Sequence, residues 1–249
     1  MTLTGSQYTS LRERRDAMSD RDREVRFGDA IRSISGSFSA DFSVIDLLHH
    51  VVDECRSVLG VADVGVVLAD RSGRLHVAAS TSERTSLVES LQIDTLSGPC
   101  MESYRTGQAV LIRDIADRSD EFAKGAREQD FRSAYATPLR RHIYTIGALN
   151  LFSAAPDAFP EESRSIADAF ARIAAMAILV DRRGDTSGDR VEEALRARVD
   201  IERAKGVVMD RANVDEARAF EKIHDYSVHN LRPLISVARD ITRHQLQLW

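Results

Sequence analysis

Apolar positions recur about every 3.6 residues in some stretches of the chain and every second residue in others, and each change of period marks an element. Val44, Leu47, Leu48, Val51, Val52, Cys55 and Leu59 make one broad apolar face. With Asp41 or Ser43 as N-cap and Gly60 as stop, this predicts a helix. From Asp63 the period becomes two. Val64, Val66 and Leu68 alternate in one strand, Asp70-Arg71-Ser72-Gly73 has turn chemistry, and residues 75–79 resume as the hairpin partner. A helical piece over 83–91 precedes Ser97-Gly98-Pro99, which predicts a turn into a short helix that Gly107 ends. Strands are expected over 109–113, 133–140 and 145–153, and residues 157–160 break the chain before a long Ala-rich helix over 161–180. Helix, hairpin, helical insert, further strands and a closing helix define an α+β domain with an antiparallel sheet.

Gly184-Asp185-Thr186-Ser187-Gly188-Asp189 is polar and helix-breaking, which places a domain boundary there. Beyond it Ala194, Ile201, Val208 and Ala212 share one line of a helix. Ala197, Ala204 and Met209 flank that line, while Arg196, Asp200, Arg203 and Asp210 take the opposite side. Lys205 breaks the pattern. It lies on the edge of the apolar stripe, where an ammonium is costly unless it snorkels or has a partner, and this makes it a functional candidate. Asp215 can cap a second helix carrying Ala219, Phe220 and Ile223. Asn230 can cap a third, with Pro233 in its first turn, Leu234, Val237 and Ile241 inward, and Arg232, Arg239 and Arg243 exposed. The expected organisation is an N-terminal helical segment (1–40), an antiparallel-sheet α+β domain (41–183) and a small all-α three-helix domain (190–249). In the first segment Leu11, Met18 and Val25 recur at seven-residue spacing, but Arg14, Arg21 and Gly28 hold the companion positions. This half-heptad fits either a solvated helix or one that pairs with its copy. With the apolar face of 166–180, it motivates the expectation of a homodimer.

Composition narrows the function. A formal net charge of −5 argues against a protein that coats nucleic acid nonspecifically. From Arg190 onward basic and acidic residues nearly balance, so the acidic excess belongs to the rest of the chain. No apolar run approaches the length of a membrane span, and charged residues stand where a signal peptide would be apolar. A cytoplasmic protein without a membrane partner is expected. Cys55 and Cys100 lack metal-ligand spacing, and Cys55 reads as a core residue. No phosphate-cradling Gly loop, nucleophile elbow, HExxH or receiver-type acidic pocket occurs, so no catalytic residue, metal or phosphorelay is expected.

Two resemblances add to this reading. Ile201, Ala204-Lys205-Gly206, Val208-Met209, Ala219-Phe220, Asn230 and Val237-Ala238 resemble the pattern of the ANTAR domain, a three-helix module that binds RNA and antiterminates transcription. Gly98-Pro99-Cys100, Tyr104-Arg105-Thr106-Gly107, Pro138-Leu139, Gly147-Ala148-Leu149-Asn150 and Asp157-Ala158-Phe159 resemble a GAF domain, a class that binds small ligands between sheet and insert. The resemblance implies a one-component regulator whose GAF domain senses a small ligand or redox state and whose ANTAR domain binds RNA stem-loops in nascent transcripts. The expected RNA contacts are Arg198, Arg203, Lys205, Arg211, Tyr226, His229, Asn230 and Arg232; Tyr226-Ser227 departs from the Ala-Arg common in that family. The expected ligand-site residues are Gly98, Cys100, Tyr104 and Tyr135, with the ligand or cofactor unknown. The macrodipole at Cys100, which begins a helix, would favour a thiolate; the plainer reading is a small apolar filler. Two other readings are a DNA-binding regulator, since three short helices also build helix-turn-helix readers, and a GAF-type free methionine-sulfoxide reductase. The reductase needs a nucleophilic and a resolving thiol close together, and Cys55 is the sole candidate resolver.

Overall fold

The computed structural model describes residues 20–36, 43–141, 143–179 and 187–249. Its first domain runs α1 (Asp20–Gly36), α2 (Val44–Leu59), β1 (Asp63–Ala69), β2 (Leu75–Ser80), α3 (Glu83–Thr95), α4 (Pro99–Thr106), β3 (Val110–Ile112), a 3-10 turn (Ile115–Asp117), α5 (Glu121–Glu128), β4 (Ser133–Arg141), β5 (Tyr144–Ser153) and α6 (Glu161–Leu179). The strands form one antiparallel sheet in the order β2-β1-β5-β4-β3. Three helices follow: α7 (Ser187–Ala212), α8 (Glu216–His229) and α9 (Leu234–Thr242).

Strict alternation in β1 predicts one wet face, yet Asp63 to Leu68 are all buried. Helices cover both sides of the sheet. Val64, Val66, Leu68, Leu149 and Leu151 pack with Leu48 and Val51 of α2 and Phe170 of α6. On the other side Val67 and Ala148 pack with Cys100 and Met101 of α4, and Phe131 stacks on Phe152 at 4.9 Å beside Phe122 of α5. The helix α5 and the 3-10 turn were not legible in the pattern, because two turns carrying only Phe122, Ala123 and Ala126 inward offer too few periodic positions.

The cap of α2 is Ser43, which accepts from the Asp46 amide, and Gly60 ends the helix at φ 62°. Asp41, Leu11 and Met18 lie outside the described residues. Helix α1 packs on the chain itself through Ala30, Ile34 and an edge-on Phe27–Phe170 contact at 5.5 Å. The apolar face of α6 that was expected to pair copies (Ala167, Phe170, Ala174, Ile178) is spent on the chain's own core, leaving Met176 exposed. Ser187 to Asp189, read as part of a break, instead open α7. Orphan amides are tolerated in a first turn, Asp189 complements the dipole there, and it pairs with Arg71 of the β1–β2 turn.

Candidate functional site

The second domain does not stand apart from the first. Along one face of α7 the buried residues Val191, Ala194, Ala197, Ile201, Ala204 and Val208 continue the core. Lys205 is 1% exposed on this face. Its Nζ lies 2.7 Å from Glu83 Oε1 at the start of α3, 2.5 Å from Glu202 Oε2 and 3.0 Å from Glu216 Oε1. Of the two routes open to it, snorkelling or a partner, the structure has the second. The ammonium has a partner, supplied in part by the other domain, and the carboxylate bonds keep it protonated against the effect of burial. Arg198 is enclosed beside it, bonding Ser86 Oγ at 3.2 Å and Glu202 Oε1 at 2.5 Å.

The seam continues across α2. Asp53 Oδ2 pairs with His224 Nε2 at 2.9 Å, and Asp46 Oδ1 accepts from the Ile235 amide at 3.0 Å. Between them His49 is 3% exposed, and neither ring nitrogen has a partner. Burial first, then Arg198 and His224, hold its pKa well below the ordinary imidazole range. Asp215 caps α8 as expected, accepting from the Arg218 amide at 2.8 Å. Asn230 does not cap α9. It ends α8, its amide and side chain both donating to the Tyr226 carbonyl, while Pro233 starts α9 with no side-chain cap of its own. Asp46 of the first domain supplies the missing acceptor, a long-range contact that local spacing cannot reveal.

The expected RNA contacts thus fall into three groups. Arg198 and Lys205 are buried in the seam, and Arg203 and Arg211 are exposed on α7. Tyr226, His229, Asn230 and Arg232 gather at the α8–α9 turn, where Arg232 pairs with Asp240 at 2.6 Å and the His229 ring bonds the Asp225 carbonyl.

In the first domain the four expected ligand residues are not brought together. Tyr135 lies on the α2/α6 side of the sheet, against Phe159, donating to Asp168 at 2.9 Å. Alternation along β4 puts it on the face opposite Cys100. Gly98, Cys100 and Tyr104 share the α3/α4 side, where a polar cluster missed in the sequence is enclosed. Asn150 Nδ2 donates to both oxygens of the buried Glu89 at 2.8 and 3.0 Å, and Gln92 Oε1 accepts from the Cys100 amide at 3.0 Å. Gly98, at φ 107°, and Gly65 leave the room: a Cβ would sit 2.5 Å from Gln92 Oε1 or 2.6 Å from Glu89 Oε1, respectively. Burial pushes the Glu89 carboxyl up to about 8, hydrogen bonding from Asn150 opposing it. The same burial, with Glu89 alongside, pushes the Cys100 thiol well above its ordinary range, so the macrodipole does not make a thiolate. Asn150 Oδ1 and Ser103 Oγ are enclosed without partners. Cys55, wholly buried, faces the opposite side of the sheet, so the two thiols are separated by the strands.

A GAF-domain family model matches residues 43–179, more than half of the chain, and an ANTAR-domain model matches residues 189–241. The chain belongs to the GAF family, and its C-terminal helices α7 to α9 form an ANTAR domain. No curated protein matches it. Among solved structures it is similar to the free methionine-R-sulfoxide reductase of Neisseria meningitidis in complex with its substrate, at 16% identity and TM-score 0.51 over 72% of this chain and 96% of that one. The GAF domain of an Acinetobacter phosphoenolpyruvate-protein phosphotransferase matches at 14% identity and TM-score 0.49, over 64% and 94%. At 16% identity the likeness to the reductase is one of fold. Among the described residues no helix is long and apolar enough to cross a membrane.

Proposed function

We propose that this chain is a one-component regulator in which the GAF domain responds to a small ligand and the ANTAR domain binds RNA stem-loops in nascent transcripts, antiterminating transcription. The observation that supports it is the seam. GAF residues Asp46, Asp53, Glu83 and Ser86 hold ANTAR residues Ile235, His224, Lys205 and Arg198, so a shift of α2 or α3 reaches the RNA-binding module directly. Arg203, Arg211, Tyr226, His229, Asn230 and Arg232 are the contacts open to RNA with the seam closed. Arg198 and Lys205 join them only when it opens. The ligand site is the α3/α4 side of the sheet, where Gly98 and Cys100 adjoin Glu89, Gln92 and Asn150, with Tyr104 further along α4 toward Gly73 of the β1–β2 turn. Two deeply buried thiols on opposite sheet faces favour ligand sensing over a disulfide switch and over thiol catalysis. Two copies pair on RNA, with Val25 of α1 and Met176 of α6 as exposed apolar side chains among the described residues that can serve that contact.

Native mass spectrometry of the purified chain tests the sensing half: a bound small molecule lost in Glu89→Ala supports it, and a ligand-free spectrum from every preparation counts against it. For the regulatory half, in-vitro transcription through a terminator preceded by a bound stem-loop should show added read-through. Unchanged termination would refute antitermination. Sedimentation with and without RNA decides the pairing.

A further inference from the structure

On the side of α7 turned away from the GAF domain, a groove of about 490 Å³ runs between α7 and α9. Glu193, Arg196, Asp200, Arg203 and Arg239 line it, three guanidiniums against two carboxylates. Two of the arginines are held in a way that keeps their forks available. Arg239 is bonded through Nε, to Asp200 Oδ2 at 3.0 Å, and Arg196 through Nε, to the Glu192 carbonyl at 3.2 Å. Arg203 Nη1 rests 3.7 Å from the other oxygen of Asp200. Asp200 therefore gathers two guanidiniums from two helices, its side chain 28% exposed against 69% for Arg203 and 49% for Arg239. A guanidinium anchored by Nε keeps both terminal nitrogens for a ligand, and a planar fork fixed in advance loses less freedom on binding a phosphate than a free side chain does.

We infer that this groove is a phosphodiester-binding site, with Arg196, Arg203 and Arg239 as phosphate donors and Asp200 as the residue that positions two of them. The inference rests on the RNA reading above and adds to it where the backbone lies: on α7 and α9, facing away from Lys205. The seam explains why. Arg198 and Lys205, the cations of the other α7 face, already hold carboxylates, whereas Arg196 and Arg239 meet only a carbonyl or half of a shared carboxylate. The groove is open while the domains are docked, so binding there needs no release of the ANTAR domain.

The test is filter binding of the full chain to a stem-loop RNA across a salt series, with Arg196→Gln/Arg239→Gln, Arg196→Lys/Arg239→Lys and Arg113→Gln beside wild type. Each phosphate contact on a single strand contributes about 0.7 to the slope of log affinity against log salt, so the Gln pair should flatten the slope by about 1.4. The Lys pair, keeping charge without the fork, should retain most of the slope with weaker binding. Arg113→Gln, which removes an exposed guanidinium of the GAF domain away from the groove, should bind as wild type does. A Gln pair with unchanged affinity and slope would overturn the groove while leaving RNA binding intact. Loss of wild-type binding itself would overturn both. Excess inorganic phosphate at constant ionic strength separates the sources of the anion: RNA should stay bound, and its displacement would reassign the groove to free phosphate.

Discussion

Asp46 of the GAF domain accepts a hydrogen bond from the Ile235 amide at 3.0 Å, capping the last helix of the ANTAR domain from outside that domain. Helix α9 begins at Leu234 after Pro233, which has neither a donor of its own nor a capping side chain. Replacing Asp46 by Ala removes the acceptor for a second-position amide, a loss of about 1 kcal/mol. Asp46→Asn keeps Oδ1 and should cost less. Thermal melts of the two variants, with amide exchange at Ile235 rising in Asp46→Ala, check this. Equal melting of Ala and wild type would show that the cap does not bear on docking.

Lys205→Ala should lower stability rather than leave the fold untouched. The lysine is enclosed by Glu83, Glu202 and Glu216, and its removal leaves Glu83, 7% exposed, without its cation. Breaking a buried pair on one side costs several kcal/mol; with Glu202 and Glu216 half-exposed, a loss on the order of 3 kcal/mol is expected. Adding Glu83→Gln to Lys205→Ala should restore part of it, measured by denaturant melts as a double-mutant cycle. Strict additivity would contradict the pairing.

Glu89 sets a pH dependence. Its folded-state pKa, raised by burial to about 8, exceeds the ordinary carboxyl value of 4.5, so the fold binds a proton that the unfolded chain has released. The stability this provides is fully present below about pH 4.5, declines as pH rises and is lost above about 8. Wild type should therefore lose a few kcal/mol over that window relative to Glu89→Gln, which keeps the bonding shape without the charge. Urea melts at several pH values read the difference. Parallel curves for the two proteins would refute the buried neutral carboxyl.

His49 acts in the opposite direction. Its pKa is depressed by burial, Arg198 and His224, so its contribution is present above the ordinary imidazole value of 6.5 and is lost as pH falls. His49→Phe keeps a ring beside Phe220, 6.3 Å away, and should make the seam less acid-sensitive. Protection of the α8 and α9 amides, taken relative to intrinsic exchange at each pH, should fall in wild type between pH 7 and pH 5 and change less in the variant. Equal acid sensitivity would remove His49 as the cause.

The long periodic elements were legible in the sequence because their spacing repeats over several turns or strand steps: α2, the β1–β2 hairpin, α6 and the apolar stripe of α7. The site was legible only as candidates. Lys205 stood out because a cation on an apolar line is a misfit, but its partner Glu83 is 122 residues away, and no spacing rule joins them. Glu89 and Asn150 sit on a helix and a strand where each reads as an ordinary polar position, and the sheet brings them together. Tyr135 and Cys100 were assigned to one pocket because nothing in the sequence says which face of β4 meets α4. Asp46 could not be read as a cap for α9, since it precedes Ile235 by 189 residues.

RNA recognition is the claim on which the rest depends, and selection from a randomised stem-loop pool with the full chain measures it most directly. The predicted result is enrichment of hairpins with a shared loop, bound with a negative slope against salt and in preference to duplex DNA of matched sequence. A pool that yields no enrichment, or hairpins bound no better than the matched duplex DNA, would contradict the account.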